Sequence, residues 1–188
     1  QLPKSRDRAS RLLKYVGNVV VKGNPAVASR AKPDSLEMPK VPGSQKQSIP
    51  DGTLQKLQEL GPEGFGKWML EKREVLITDT TFRDAHQSLL ATRVRSYDLV
   101  QVSSAYAKLV PELLSVECWG GATFDVAMRF LHECPWKRLE AIRNKLPNIA
   151  TQMLLRGSNA VGYKNYADNV VQYFVNQAAS SGIDIFRV

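Results

Sequence analysis

The sequence predicts an α/β protein: the first half of a (β/α)8 TIM barrel, preceded by an extended linker with short helices. Three observations carry this reading. Apolar runs of strand length begin at residues 75, 113, 149 and 183, a near-constant spacing that fits one strand and one helix per unit. Helical periodicity fills the intervals between them. Polar side chains, not a glycine-rich phosphate fingerprint, follow the first run, which favours a closed barrel over an open doubly wound sheet.

The elements can be justified in order. Residues 5–16 read as a short helix with Ser5 as N-cap and Leu12, Leu13 and Val16 on one side. Asn18, Val19, Val20 and Val21 form a brief strand-like run stopped by Gly23 and Pro25. From 24 to 52 the pattern dissolves among Pro25, Pro33, Pro39, Pro42 and Pro50, the composition of a connector without its own core. Thr53 can cap a short helix broken by Gly61 and Pro62, and a second helix over about 62–73 carries Phe65, Trp68, Met69 and Leu70. Then come the βα units, with strands expected at 75–77, 113–116, 149–155 and 183–188. Helices follow from a Ser96 cap, from Pro135, and over a stretch holding Val170, Val171, Phe174, Val175 and Ala178 that ends at Gly182. Four units are half of what a barrel needs, so the reading expects a truncated chain with two open sheet edges.

Composition narrows the function. The 188 residues are 43% hydrophobic and 23% charged, which supports a packed core and excludes wholesale disorder. No run approaches the roughly 20 apolar residues of a membrane helix, so a soluble chain with no membrane partner is expected. The net charge of +8 concentrates in residues 1–74 as scattered lysines and arginines. They form no dense stripe interleaved with aromatics, so no nucleic-acid partner is expected. Cys118 and Cys134 make no CxxC pair, which removes the spacing of a zinc finger, and two cysteines fit a reducing compartment.

The densest polar cluster after any strand is TDTTFRDAHQS at 78–88. Asp79 or Asp84 would give a hard oxygen suited to a divalent cation, and Arg83 a planar fork suited to a carboxylate. Metal plus arginine is what a small α-keto acid requires: the cation polarises the keto oxygen and the arginine holds charge. The plain alternative is a structural Arg83–Asp84 ion pair with His86 capping the next helix. Later strand ends offer Glu117, Thr123 and Asp125, then Arg156 and Tyr163, then Arg187, and a barrel brings such ends to one mouth. Arginine after three of four strands points to an anionic substrate. Cys118 reads as a packing residue, and Trp68, Trp119 and Trp136 as core anchors.

The run TDTTFRDAHQSLLATRVR (78–95), with ECWGGATFDVAMRFLHECPWKRL (117–139), QMLLRGSNAVGYKNY (152–166) and IDIFRV (183–188), resembles the carboxyltransferase domain of biotin-dependent enzymes acting on pyruvate or oxaloacetate. That family includes pyruvate carboxylases, oxaloacetate decarboxylase α chains and a transcarboxylase subunit; isopropylmalate synthases and related lyases share only the DTTxRD core. RASRLLKYVGNVVVKG (8–23) is similar to the segment leaving the biotin carboxylase domain of single-chain pyruvate carboxylases, which favours that branch. The resemblance implies that 1–23 end the biotin carboxylase domain and start a small α+β central allosteric domain. Residues 24–52 would be linker, 53–74 a helical lead-in, and 75–188 the first four units of the carboxyltransferase barrel.

The resemblance also implies roles. Asp84 matches a metal ligand, the metal being Mn or Zn, and Arg83 and Gln87 match residues contacting pyruvate. Arg156 matches the arginine that stabilises substrate and enolate. Asp125, Arg156 and Tyr163 match the pocket that receives carboxybiotin from a biotinyl domain. Asp7 and Arg8 match contacts to the activator acetyl-CoA. The implied activity is ATP- and bicarbonate-dependent carboxylation of pyruvate to oxaloacetate by a homotetramer using biotin, with ATP and Mg at another domain. The implied place is the cytoplasm or, alternatively, the mitochondrial matrix. The remaining metal ligands, the proton-transferring threonine and the biotinyl and ATP-using domains would lie outside 1–188, so the chain alone is expected to be silent. Three other functions stay open: an oxaloacetate decarboxylase α chain, an effector-binding assembly segment without chemistry, and an aldol-type lyase on a similar barrel.

Overall fold

The computed structural model describes residues 8–24 and 48–188. The chain falls into two units, residues 1–40 and 41–188. In the first, helix α1 spans Arg8–Lys22. It absorbs Asn18 to Val21, which sequence reading set apart as strand-like. Alanine, leucine and valine recur at helical spacing through 9, 12, 13, 16, 19 and 20, a stripe that carries the helix past the single Gly17 and on through the β-branched residues to Lys22. Ser5 and Asp7, and most of the 24–52 connector, lie outside the described residues; of Arg8 only the backbone is described, as the first residue of α1.

In the second unit, α2 spans Thr53–Glu71 with a kink at Gly61 (φ 67°, ψ 172°), where the sequence placed the break. Its N-cap is Gly52, not Thr53. The Thr53 hydroxyl is used elsewhere: it donates to the Leu113 carbonyl (3.2 Å) and accepts from the Ala150 amide (3.1 Å). Asn148 completes the attachment by donating to the carbonyls of Pro50 and Ala107, both at 2.8 Å. The lead-in helix is thereby tied to the strand-entry end of the sheet, away from the ends where chemistry is expected.

Four strands follow: β1 (Thr78–Asp79), β2 (Ser115–Gly120), β3 (Ala150–Leu154) and β4 (Ile185–Arg187). They pair in parallel in the order β1-β2-β3-β4. Between them lie α3 (His86–Leu90) and α4 (Ser96–Leu109), then α5 (Thr123–Arg129) and α6 (Pro135–Lys145), then α7 (Asp168–Ser180). Sequential parallel pairing with helical crossovers is the architecture of four consecutive βα units of a (β/α)8 barrel. The strands begin later than the apolar runs suggest, at Thr78 instead of 75 and at Ser115 instead of 113. One face of the ladder is polar: Thr78 hydrogen-bonds Ser115 (2.8 Å), which donates to Gln152 (3.3 Å). Hydropathy therefore undercounts these strands.

The other face packs on the helices through a core that includes Phe82, Leu99, Val116, Leu139, Ile142, Ile149 and Met153. The β2–β3 register slips between Glu117 and Trp119. In a regular strand these two would share a face. The slip lets Glu117 join the polar face while Trp119 stacks on Phe174 of α7 (5.8 Å) and tilts against Trp136 of α6 (4.9 Å), its Nε1 donating to the Pro135 carbonyl (3.1 Å). Ser96 does not cap α4. It is the first helical residue, and its hydroxyl donates to Glu133 (2.6 Å) and accepts from Arg138 (2.8 Å).

Candidate active site

β1 ends in a single π-helical turn, Thr81–Ala85, in which the Ala85 amide donates to the Thr80 carbonyl (3.1 Å). Such wide turns are frequent at functional sites. Asp79 is spent on building it: its carboxylate accepts from the Thr81 amide (2.9 Å) and hydroxyl (3.1 Å). Of the two aspartates considered for a cation, Asp84 is thus the one left to face outward, its side chain half exposed. Phe82 anchors the turn, fully buried and edge-on to Tyr106 at 4.9 Å.

Arg83 is only 1% exposed. Its Nε donates to Glu117 Oε1 (2.6 Å) and Nη2 pairs with the same oxygen. The opposite edge of the guanidinium, through Nη1, reaches Asp84 Oδ1 (2.9 Å) and Gln87 Oε1 (3.4 Å). Gln87 is fixed in turn by the Ala122 amide (3.0 Å). Gly121 (φ 54°) passes so close that a Cβ there would lie 2.7 Å from Gln87 Oε1 and 3.0 Å from Arg83 Nη1. The residue that organises all this is Glu117, fully buried in the middle of β2 and not at its end, where the sequence reading put it. Its other oxygen accepts from Arg187 Nε (2.8 Å) and Gln152 Nε2 (3.1 Å). Burial pushes the Glu117 carboxyl up, but Arg187, Gln152 and Arg83 together outweigh it and hold the group below the usual glutamate range. Arg187 is raised, chiefly by its hydrogen bond to Glu117.

Asp125, Arg156 and Tyr163 form a second, more open group. Tyr163 donates to Asp125 Oδ2 (3.2 Å), Asp125 pairs with Arg129 (3.0 Å), and the Arg156 guanidinium lies 5.7 Å from the Tyr163 ring centre while Nη1 reaches the Gly162 carbonyl (3.4 Å). Asp125 and Tyr163, with Phe124, Met128 and Tyr166, line a cleft of about 290 Å³ whose walls mix apolar surface with a carboxylate and phenols, and Arg156 stands beside it over the Tyr163 ring. Arg156 turns toward this second group, whereas Arg83 holds Asp84. The two are joined through the backbone, since Leu155, next to Arg156, donates to the carbonyl of Arg187 (2.9 Å).

Sequence reading named Arg83, Asp84, Gln87, Asp125, Arg156 and Tyr163, and marked Glu117 and Arg187 as strand-end groups. It missed Glu117 as the shared partner of two arginines and missed Gln152 altogether. Their only sequence signal is a polar residue inside a buried strand, where an apolar one is expected. The plain alternative of an Arg83–Asp84 ion pair is present in the geometry, but His86 does not cap the next helix. It is buried, and its Nε2 meets the Phe82 carbonyl at 2.7 Å. Cys118 is fully buried, its thiol pushed up to about 12 by burial, while Cys134 is exposed.

Among the described residues no three histidine, cysteine, aspartate or glutamate side chains gather as a metal site. Asp84 fits as one ligand of an incomplete set: an exposed oxygen beside Arg83. No helix of the described residues is long and apolar enough to cross a membrane.

Four parallel βα units with arginine and carboxylate groups gathered toward the strand exits have the architecture of half a (β/α)8 barrel, with charged groups on the face where such barrels keep their active sites. No family model matches the chain. Relatives do. The chain is 55% identical to pyruvate carboxylase of Bacillus subtilis over 99% of its own length and 16% of that protein. It is 50% identical to the mitochondrial pyruvate carboxylase of Homo sapiens, again covering 16% of it. The carboxyl transferase domain of Rhizobium etli pyruvate carboxylase with pyruvate superposes with a TM-score of 0.80 at 56% identity, covering 97% of this chain and 31% of that one. The same domain with pyruvate and biocytin gives 0.79. The chain is homologous to one segment of pyruvate carboxylases, and it spans about a sixth of the length of the curated relatives it matches.

Proposed function

We propose that the chain supplies part of a carboxyltransferase site that converts pyruvate to oxaloacetate with biotin as carboxyl carrier. The observation that carries this is the buried Arg83, pinned by Glu117 so that Nη1 faces Asp84 and Gln87 at the strand exit. The homology to proteins of that name supports it, as does the likeness to a domain solved with pyruvate and biocytin.

When bound, biotin would bring the carboxyl group and a divalent metal, Mn or Zn, held in part by Asp84, would polarise the keto oxygen. The chain's own residues do the rest. Arg83 and Gln87 orient pyruvate. Arg156 offers charge to the oxygen that becomes anionic as the methyl group loses its proton, the term of largest expected weight. Asp125 and Tyr163 give the second cleft polar groups for a ureido ring, beside the apolar surfaces of Phe124, Met128 and Val161. ATP, Mg and bicarbonate belong to another domain of the proposed whole enzyme, and the biotinyl domain is its carrier. We assign 1–23 to the end of the biotin carboxylase domain and the start of the central domain, 24–52 to linker, 53–74 to lead-in and 75–188 to the half barrel. Acetyl-CoA contacts at Asp7 and Arg8, a homotetramer, and a cytoplasmic or mitochondrial-matrix location complete the proposal; the bacterial and mitochondrial relatives support both places.

The test uses a full-length pyruvate carboxylase carrying this chain as its homologous segment. Arg83→Lys should lower pyruvate-dependent oxaloacetate formation by about 10²–10³ while biotin carboxylation from ATP and bicarbonate continues, because an ammonium cannot span Glu117 and Asp84 together. Carboxyl transfer within a few-fold of the parent overturns the assignment.

A further inference from the structure

Behind the candidate site, two buried polar atoms of complementary chemistry lack hydrogen-bond partners. His86 is 5% exposed. Because its Nε2 faces a carbonyl oxygen at 2.7 Å, Nε2 must be the donor, so in the neutral ring Nδ1 is a bare acceptor, and Nδ1 is buried without a partner. Arg138, on α6, is fully buried. Its Nε donates to Ser96 Oγ (2.8 Å), and its Nη2 donates to the Val94 carbonyl (2.7 Å) and Glu133 Oε2 (2.9 Å). Nη1 alone is left, a buried donor without an acceptor.

The two residues are tied to the same short loop. The segment that leaves His86 returns at once: the Thr92 amide donates to the His86 carbonyl (3.0 Å), and two residues later Val94 meets Arg138. The Arg138 charge is also felt at the His86 ring. An unpaired buried donor and an unpaired buried acceptor each carry a desolvation penalty, and a water that meets both removes both.

We infer that a single buried water links Arg138 Nη1 to His86 Nδ1, making Arg138 a positioning residue for the turn that carries Arg83 and Asp84. The link completes an unbroken polar strut from Glu133 through Arg138, water and His86 to the Phe82 carbonyl, which lies inside that turn. The turn is then held from both sides: Glu117 fixes the Arg83 side chain in front, and the strut fixes the backbone behind. The catalytic part of this inference rests on the carboxyltransferase reading; the structural part does not. Outer partners that orient functional side chains typically matter by 10–100-fold.

The experiment uses the same full-length enzyme. A crystal structure at high resolution should show one ordered water within about 3.2 Å of both Arg138 Nη1 and His86 Nδ1. Arg138→Met should lose that water, displace Asp84, and lower kcat for carboxyl transfer about 10–100-fold with biotin carboxylation unchanged. Arg138→Lys, which keeps the charge and the Glu133 pair, should recover part of the loss and decides the matter if the methionine variant does not fold. Absence of the water in the parent enzyme overturns the inference. So does Arg138→Met or Arg138→Lys with Asp84 unmoved and full kcat. If the parent itself does not carboxylate pyruvate, the function proposal fails while the density at His86 still decides the strut.

Discussion

The two groups at the strand exits contrast in how they are held. Arg83 and Glu117 are sealed, 1% and 0% exposed, and every contact between them is charge-assisted. Tyr163 is 69% exposed, and its hydrogen bond to Asp125 lies at the surface. A buried ion pair is rigid because breaking it strands a charge in low dielectric; an exposed pair exchanges readily with water. Under the proposed function, the first group presents one fixed geometry to a small acid, and the second admits a carrier-borne group that arrives and leaves.

The sharpest way to break this contrast is to remove the sealed carboxylate. Glu117→Ala leaves the buried Arg83 with only the half-exposed Asp84 as a charged partner and should destabilise the 48–188 region by about 3 kcal/mol, read as protease susceptibility and loss of thermal protection in the full-length enzyme. The pH dependence follows from the same group. Its folded carboxyl lies below its ordinary value, so the stabilisation is complete above the usual glutamate range and fades as pH falls through the lower folded value. Glu117→Gln should erase that acid limb in acid-unfolding curves, and an unchanged limb would assign it to other carboxylates.

Next in size, Arg156→Lys should cost about 10²–10³ in carboxyl-transfer turnover with little change in melting temperature, since Arg156 is only partly buried. A stability loss as large as that of Glu117→Ala would move Arg156 into the sealed class. Gly121→Ala places a methyl group against Gln87 and Arg83 in a left-handed backbone. About 1–2 kcal/mol of strain is expected, with a raised KM for pyruvate measured in steady state. The smallest effect belongs to the open group: Tyr163→Phe removes one exposed hydrogen bond and should change stability by less than about 1 kcal/mol. Its mark should be a several-fold rise in KM for free biotin or biocytin in a half-reaction assay, leaving KM for pyruvate alone.

How much of this could be read in advance depends on the range of each interaction. The strand spacing, the Pro135 start and the Gly61 break are local or periodic signals, and they placed the barrel units correctly. The run after Asn18 misled because three valines favour strand only when a sheet is there to receive them; within α1 the helical stripe decides. At the site, Arg83, Asp84 and Gln87 stand out because they are neighbours along the chain. Glu117 as their organiser does not, because the interaction spans 34 residues and its meaning lies in a partner on the turn after β1 and another on β4. The slip at Glu117 and Trp119 was equally hidden, since nothing in the alternation of the sequence says that these two residues part company.

The double use of one carboxylate has an evolutionary consequence. Positions 83, 117 and 187 cannot drift independently: an apolar residue at 117 would take the shared carboxylate from two cations at once, and a neutral residue at 83 or 187 would leave the buried anion with one cation fewer. Across divergent relatives the three should be retained or exchanged as a block, and a lineage that has abandoned one of them should have abandoned the keto acid as well.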